Sequence, residues 1–228
     1  MSYQLYNEEC LESMSYLPSE SVDMVLCDLP YGTTACKWDS VIPFEPLWAE
    51  YNRVCTLSGA IVLTGAQPFT SFLVSGNIRN FRQHLVWEKT RPNNVMNAKK
   101  MFMKWHEDIL VFYRELPTYN PQKEAVARYT KTQHKQDRSN GHLGKTGEKH
   151  GFLSDNKGEA YPKSVVKFSN VCRPHLHPTQ KPVALMEYLI RTYTNPGDTV
   201  MDNTMGSGTT GVACANTGRK FIGIEKDP

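Results

Sequence analysis

The chain has 228 residues, of which 39% are hydrophobic, 11% aromatic and 21% charged, and its formal net charge is +3 at pH 7. This length can bury a sizeable core and can hold one domain with an insert. The sequence contains neither an apolar run of membrane-spanning length nor the basic and apolar segments of a signal peptide. It therefore predicts a globular, cytoplasmic protein with no membrane partner.

In the first half of the chain, apolar segments alternate with amphipathic ones. In chain order we predict a strand at 4–7, a helix at 8–17, a strand at 22–27, a helix at 44–54, a strand at 60–64, a helix at 68–74, and strands at 84–87 and 109–113. Apolar strands that alternate with helices are typical of a parallel sheet covered on both faces.

Residues 115–170 interrupt this alternation. They are poor in apolar residues and contain ten basic and six acidic ones. A structureless stretch of this length inside a compact domain is improbable unless it has a function, so we predict an insert that binds a partner and is partly mobile when free. Residues 89–105 add five basic residues and no acidic one. Two basic segments on a near-neutral body indicate a polyanionic partner.

After the insert the alternation resumes, with a helix at 182–192, a strand at 199–201, a glycine loop at 206–208, a helix at 209–216 and a strand at 221–224. This order is half of a nucleotide-binding α/β unit, in which Glu225 can accept two ribose hydroxyls. The spacing Gly206-x-Gly208-x-x-Gly211 also matches the dinucleotide fingerprint, which is weak evidence alone. Asp202 suits a cationic amino group better than a pyrophosphate, and S-adenosylmethionine carries an ammonium, a carboxylate, a ribose and an adenine.

The six cysteines are scattered without a CxxC pair, which favours reduced thiols. Cys172, His175 and His177 suggest zinc, but no fourth ligand stands at metal-site spacing. We therefore predict a turn with a buried thiol in this segment, and no metal.

Three motifs together carry a family resemblance. Asp28-Leu29-Pro30-Tyr31 resembles the catalytic Asp-Pro-Pro-Tyr motif of the amino-methyltransferases that act on DNA, and residues 202–209 (DNTMGSGT) resemble their cofactor loop. Residues 177–182 (HPTQKP) are similar to the segment before that loop. The order, catalytic motif first and cofactor loop last, is that of the beta class. The chain departs from the family at Leu29, where proline is usual, and at Asn203-Thr204, where Pro-Phe is usual.

The resemblance implies a Rossmann-like, mostly parallel sheet of seven strands with helices on both faces, in circularly permuted order. It divides the chain into a catalytic half (1–114), a basic target-recognition insert (115–170) and a cofactor-binding half (171–228). The strand at 4–7 takes the place of the strand that follows the ribose-binding acid, so Glu9 is expected to accept the adenine amino group, with Cys10 beside it. The plain alternative for Glu9 is an acid at a helix N-terminus, which the helix dipole favours.

The resemblance also implies roles for individual residues. The catalytic group consists of Asp28, Leu29, Pro30 and Tyr31. The group expected to bind S-adenosylmethionine consists of Glu9, Cys10, Asp28, Lys181, Pro182, Asp202, Thr204, Gly206, Ser207, Gly208, Thr209 and Glu225. The group expected to bind DNA consists of Arg91, Asn93, Asn94, Lys99, Lys100, Arg128, Lys131 and Arg138.

The expected reaction is methyl transfer to an exocyclic amine of a base flipped out of double-stranded DNA. Such an amine is a poor nucleophile because its lone pair is shared with the ring. The Asp28 carboxylate and the Leu29 carbonyl are expected to accept its two N–H groups, while Pro30 holds an extended geometry and Tyr31 stacks on the base. The resemblance implies a homodimer, and a cognate restriction endonuclease is left open.

Several alternatives stay open at this point. Methylation of cytosine N4 is the nearest, although those enzymes usually carry Ser in place of Asp28, so that Asp with Tyr favours adenine N6. An NAD-dependent oxidoreductase needs more strands after Glu225 and leaves the sequence DLPYG unexplained. A catalytically silent nucleic-acid-binding module predicts no loss of function on Asp28→Ala, and RNA is a further substrate class.

Overall fold

The computed structural model describes residues 2–32, 39–128, 130–133, 152–171 and 180–226. Its helices are α1 (Cys10–Tyr16), α2 (Phe44–Val54), α3 (Phe69–Gly76), α4 (Val183–Tyr193) and α5 (Thr209–Thr217), and a short 3-10 helix covers Val95–Asn97. Its strands are β1 (Tyr3–Tyr6), β2 (Val22–Asp28), β3 (Cys55–Gly65), β4 (Phe81–Asn93), β5 (Lys104–Phe112), β6 (Glu124–Ala125), β7 (Thr130–Gln133), β8 (Phe152–Asp155), β9 (Glu159–Ala160), β10 (Val165–Phe168), β11 (Thr199–Asp202) and β12 (Lys220–Ile224). No helix within these ranges is long and apolar enough to span a membrane.

Eight strands form the main sheet, in the order β1-β12-β11-β2-β3-β5-β4-β10. Neighbours are parallel except where β5 runs antiparallel to β3 and to β4. The chain proceeds from β11 to β12 in one direction across the sheet and from β2 to β3 in the other. Such a switch point opens a crevice at the carboxyl ends of the two central strands. The predicted mostly parallel, Rossmann-like sheet in permuted order is confirmed.

One strand of this sheet lies in the segment that was predicted to be the basic insert. Val165–Phe168 pairs in parallel with β4, and the indole Nε1 of Trp87 donates to the carbonyl of Phe168 at 3.0 Å. The sheet therefore has eight strands rather than the seven expected, with β10 at its edge. Only Val166 of these four residues faces the core as a buried side chain, so the segment carries too little apolar pattern to be read as a strand.

The chain divides into two compact units, the first formed by Met1–Asn120 with Lys163–Pro228 and the second by Pro121–Pro162. In the second unit, β6 pairs with β9 and β7 with β8, both antiparallel. Ion pairs link Lys123 to Glu159 at 2.8 Å and Arg128 to Asp155 at 2.7 Å. The described part of this unit forms two short ladders, whereas no strand was predicted inside the insert, because strands of two to four residues leave no readable alternation.

Buried side chains cover both faces of the main sheet, as predicted. Val25 of β2 faces a cluster that includes Leu47 and Leu73 from α2 and α3. Its neighbour Met24 faces the opposite cluster, which includes Leu189 from α4. Successive residues of a strand point to opposite faces, so a strand that is buried on both sides reads as continuously apolar. Each such side chain contributes about 1.5–3 kcal/mol through its removal from water.

Candidate active site

The carboxyl ends of β2 and β11 bring two acids together. The two strands are parallel neighbours, so Asp28 and Asp202 end them at the same edge of the sheet. The hydroxyl Oγ1 of Thr204 donates to the backbone carbonyl of Asp28 at 3.0 Å, and the Cys27 thiol donates to Oδ1 of Asn203 at 3.1 Å. Two motifs that are far apart in the sequence are therefore in direct contact.

The half-buried carboxylate of Asp28 accepts hydrogen bonds from three side chains. Its Oδ1 accepts from the Tyr31 hydroxyl and from Oγ1 of Thr64, both at 2.5 Å. Its Oδ2 accepts from Nζ of Lys181 at 2.6 Å. Thr64 lies near the carboxyl end of β3, the neighbour of β2, and was not among the predicted site residues. Between Asp28 and Tyr31, Leu29 is buried and Pro30 is half-buried.

Lys181 belongs to a buried row of alternating charges, Lys89–Glu107–Lys181–Asp28, called here the charge row. Nζ of Lys181 lies 3.1 Å from Oε2 of Glu107, and Nζ of Lys89 donates to Oε1 of the same carboxylate. Burial lowers the pKa of Lys181, but Asp28, Tyr31 and Glu107 raise it well above its ordinary value. Burial raises the pKa of Glu107, but Lys181 and Lys89 bring it below its ordinary value. Lys181 is therefore protonated and Glu107 ionised at neutral pH.

Glu107 was not among the predicted site residues, and Lys89 was counted in the basic segment 89–105. Lys89 is only 3% exposed, because its ammonium pairs with Glu107 across the β4–β5 ladder and lies 5.1 Å from the centre of the Trp87 ring. A charged residue inside a strand gives no sign of its partner when that partner lies on another strand.

The Tyr31 ring packs against Phe69 with 5.0 Å between ring centres. Burial raises its pKa well above the ordinary value, and the neighbouring Asp28 adds to the effect. The phenol therefore stays protonated and can donate to Asp28.

The glycine loop between β11 and α5 is open on one side. Gly206 and Gly208 have φ angles of +50° and +76°, and a Cβ at either would meet no heavy atom within 4 Å. The backbone N–H of Gly206 donates to Oε2 of Glu225 at 2.8 Å. Helix α5 begins at Thr209, beside the half-buried Ser207, with no side-chain hydrogen bond from its N-cap residue. The two glycines of this loop therefore border open space next to Glu225.

Asp202 lies beneath this loop and is 4% exposed. Its Oδ2 accepts from Oγ1 of Thr210 at 2.6 Å, and its Oδ1 accepts from the backbone N–H of Thr204 at 3.2 Å. Burial raises the pKa of Asp202 to about 6, although the hydrogen bonds from Thr210, Cys27 and Thr204 oppose the shift. A cation near this buried carboxyl would favour its charged form and lower its pKa.

At the edge of the sheet, β1 pairs in parallel with β12, as the permuted order predicts, and the N–H of Glu225 donates to the carbonyl of Tyr6 at 3.0 Å. Oε2 of Glu9 accepts from the N–H groups of Leu11 and Glu12, so this carboxylate caps α1. These hydrogen bonds are those of an acid at a helix N-terminus, the alternative stated for Glu9 above. Contact of Glu9 with the adenine of the cofactor stays a prediction. Burial raises the pKa of the Cys10 thiol to about 12.

The residues predicted to bind DNA are distributed over both units. Arg91, Asn93, Lys99 and Lys100 are exposed in the first unit, in and beside the turn from β4 to β5. Arg128 is exposed in the second unit, where it pairs with Asp155. The Lys131 side chain, Arg138, Cys172 and residues 175–179, which include the first half of the HPTQKP motif, lie outside what the structure describes.

The remaining residues of that motif are described. Lys181 contacts Asp28, and Pro182 is the N-cap residue of α4. Among the described residues, no group of three or more His, Cys, Asp or Glu side chains could hold a metal ion.

Comparison with known proteins supports a single family. Residues 22–228 match the family model N6_N4_Mtase, described as DNA methylase. The DNA adenine methyltransferase YhdJ of Escherichia coli strain K12 is 29% identical over 241 residues, which cover 95% of this chain and 76% of that protein. The type II methyltransferase M1.MboII of Moraxella bovis is 27% identical over 249 residues, which cover 97% of this chain and 91% of that protein.

Solved structures agree in fold. The M1.HpyAVI–SAM complex superposes with a TM-score of 0.64 at 26% identity, covering 99% of this chain and 94% of that one. The cytosine-N4-specific PvuII DNA methyltransferase gives a TM-score of 0.72 at 17% identity, covering 100% and 83%, which is a likeness of fold. Because the family model spans most of the chain, from the strand that ends on Asp28 to the last residue, this protein belongs to the N6/N4 DNA methylase family.

Proposed function

We propose that this S-adenosylmethionine-dependent DNA methyltransferase transfers a methyl group to the exocyclic N6 amine of an adenine flipped out of double-stranded DNA. The observation that carries the proposal is the contact between the Asp28 motif and the loop after Asp202, through the hydrogen bond from Thr204 to the Asp28 carbonyl. Asp rather than Ser at position 28 favours adenine over cytosine. The name of YhdJ, a DNA adenine methyltransferase, supports the same choice.

Asp28 has room for one more donor. An ionised carboxylate offers about four lone-pair positions, and Tyr31, Thr64 and Lys181 use three of them. We assign the fourth to one N–H of the target amine and the Leu29 carbonyl to the other. Two acceptors aimed at these N–H groups localise the lone pair on nitrogen and stabilise the positive charge that develops there during methyl transfer.

Lys181 and Glu107 act on the reaction through Asp28. Lys181 holds Oδ2, and Glu107 holds Lys181, so the carboxylate is fixed in orientation without a direct contact from Glu107. We therefore assign Lys181 to positioning Asp28, although the family resemblance had implied a role in cofactor binding. Small displacements of reacting groups slow catalysis strongly, so a fixed Asp28 carboxylate keeps the target amine in line with the methyl group.

S-adenosylmethionine supplies a methyl group that its sulfonium activates toward nucleophiles. We assign its ammonium to the side of Asp202, its carboxylate to the backbone of residues 206–208 and the first turn of α5, and its ribose to Glu225. These assignments match the buried Asp202, the start of α5, whose N-cap residue makes no side-chain hydrogen bond, and the half-buried Glu225. Thr204 joins this pocket to Asp28 and so sets the approach of the two reactants.

For the wider role, we propose that the second unit carries target recognition and that the protein acts as a homodimer in the cytoplasm. M1.MboII and M.BglII are named type II methyltransferases, which supports a restriction–modification role with a partner endonuclease for the same site. Unmodified host DNA would then be cut by that endonuclease, and DNA methylated by this protein would resist it.

One labelling experiment tests the reaction. The protein is incubated with methyl-labelled S-adenosylmethionine and unmethylated DNA, the DNA is digested to nucleosides, and the labelled nucleoside is identified by mass spectrometry. We expect N6-methyladenine, and sequencing of the product DNA gives the site. Labelled N4-methylcytosine would refute the choice of base, and cofactor binding without any label would favour the silent DNA-binding module. Asp28→Ala should bind cofactor but transfer no methyl group.

A further inference from the structure

The turn between β4 and β5, residues 94–103, is called here the hairpin tip, and it exposes large apolar side chains. Met96 is 99% exposed and Phe102 is 98% exposed, and Val95 and Met101 beside them are more than half exposed. A single exposed apolar residue needs no explanation, but a contiguous group of them marks an interaction surface.

The hairpin tip is an organised structure that holds these side chains outward. Asn94 takes a left-handed conformation with φ of +65°, and the N–H groups of Asn97 and Met101 donate to the carbonyls of Asn94 and Asn97. The side-chain amide of Asn97 donates to that of Asn94, which in turn donates to Sδ of Met101 at 3.1 Å. Both asparagine side chains are therefore used inside the tip, so its backbone needs no further ordering when a partner binds.

Charge indicates what this apolar surface meets. Arg91, Lys99, Lys100 and Lys104 are exposed in and beside the hairpin tip, and residues 89–105 contain no acid. Duplex DNA offers phosphates to such cations. It also offers an apolar slot wherever two base pairs are separated, and side chains such as Phe and Met enter such slots.

Position links the hairpin tip to the active site. β4 runs parallel to β2, so its carboxyl end, where the tip begins, lies at the sheet edge where Asp28 ends β2. The charge row extends from Lys89 and Glu107, at the base of this hairpin, through Lys181 to Asp28. A duplex whose base enters the site therefore passes beside the tip.

We propose that the hairpin tip is a DNA wedge, in which Phe102, supported by Met96, enters the base stack and fills the gap left by the flipped base. Lys99 and Lys100 hold the phosphates on either side. The inference rests on the proposed function, because a wedge is needed only if the target base leaves the duplex. Filling the gap recovers part of the stacking free energy that extrusion loses.

The test uses Phe102→Ala, Met96→Ala and the double variant in the full-length protein. Ile78→Ala is the matched control, because Ile78 is also exposed but precedes β4, at the opposite edge of the sheet. Each protein is given two duplexes that contain the site mapped for the wild type. In one the target base is paired, and in the other the same base faces an abasic position, so that its extrusion costs less. Single-turnover methyl transfer is measured on both, and cofactor affinity is measured to verify folding.

We expect the double variant to methylate the paired duplex about tenfold more slowly, which equals the loss of ~1.4 kcal/mol from the few kcal/mol that extrusion costs. On the abasic duplex its rate should equal that of the wild type, and Ile78→Ala should match the wild type on both. Equal losses on the two duplexes, or no loss on either, overturn the wedge.

Two further results have distinct meanings. An altered oligomeric state with unchanged methyl transfer would assign the hairpin tip to contact with a second copy of the chain, and that result also overturns the wedge. Failure of the wild-type protein to methylate any DNA, so that no site can be mapped, would refute the proposed function itself, which no result from the variants alone does.

Discussion

At the scale of single residues, Lys181 lies between the carboxylates of Asp28 and Glu107 and balances them. We expect Lys181→Met and Glu107→Gln each to slow methyl transfer about a hundredfold, because a small displacement of Asp28 has effects of that size. Cofactor affinity should change little. Single-turnover rates at saturating cofactor and DNA, together with calorimetric dissociation constants, separate the two effects.

The double variant Lys181→Met/Glu107→Gln is the matched control for this prediction. Removal of one buried charge leaves its partner unpaired and destabilises the fold, whereas removal of one charge of each sign keeps the balance. The double variant should therefore regain stability without regaining rate. A large loss of cofactor affinity with an unchanged rate would instead support the role in cofactor binding predicted from the sequence.

Asp202 illustrates the cost of a buried acid. Its native pKa of about 6 lies above the ordinary value of 3.8, so the native state binds the proton more tightly than the unfolded state does. The contribution of Asp202 to the free energy of unfolding is fully present below pH 3.8 and is lost as the pH rises through 6. Asp202→Asn should raise the free energy of unfolding at neutral pH by up to about 3 kcal/mol, and by much less near pH 4. The same variant should weaken cofactor binding, because the amide carries no charge.

Chemical denaturation at the two pH values checks this prediction. If Asp202→Asn has the same effect on the free energy of unfolding at both, the acid does not titrate with a raised pKa. The predicted loss of cofactor affinity is checked by measuring the cofactor dissociation constant of the Asp202→Asn variant.

Residues that end strands were predictable, and residues inside strands were not. Asp28 and Asp202 follow apolar runs, where the carboxyl ends of parallel strands meet. Thr64, Lys89 and Glu107 lie on strands whose neighbours depend on the sheet order, so their partners could not be read from the sequence.

At the scale of elements, the glycines of the glycine loop and of α5 have different roles. Gly208 has a positive φ and faces open space, whereas a Cβ on Gly211 would lie 2.8 Å from Cε1 of Phe221 on β12. Gly211→Ala should destabilise the fold by about 1–3 kcal/mol through overpacking. Gly208→Ala should cost less stability, on the order of 1 kcal/mol of backbone strain, and should weaken cofactor binding more.

Thermal unfolding and cofactor dissociation constants, measured on both variants, test this contrast. The reverse ranking, with Gly211→Ala as the stronger binding defect, would contradict the assignment of the loop. The two variants serve as controls for each other, since each replaces a hydrogen by one methyl group.

The elements that the sequence predicted well were those with long apolar runs. The strand predicted at 60–64 is the end of β3, whose register with β2 shifts between Cys55 and Ala60. β10 was missed because four residues with one buried side chain carry almost no pattern.

At the scale of the whole molecule, the first unit contains the eight-stranded sheet and both apolar clusters. Replacing residues 121–162 by a flexible linker should therefore preserve cofactor affinity and cooperative unfolding, and should abolish the preference for one DNA site. Methylation of plasmid DNA mapped by sequencing measures this preference. A shortened protein that still modifies the same site would refute target recognition by the second unit.

The charge row has an electrostatic consequence for the entire enzyme. Two ammonium groups and two carboxylates cancel along its length, so the row carries no net charge and adds little to the long-range attraction of DNA. Long-range attraction of the duplex then depends on surface lysines, which salt screens, whereas alignment of the reacting atoms depends on interior ion pairs, which salt hardly reaches. Raising ionic strength should thus slow capture of DNA and leave the chemical step intact.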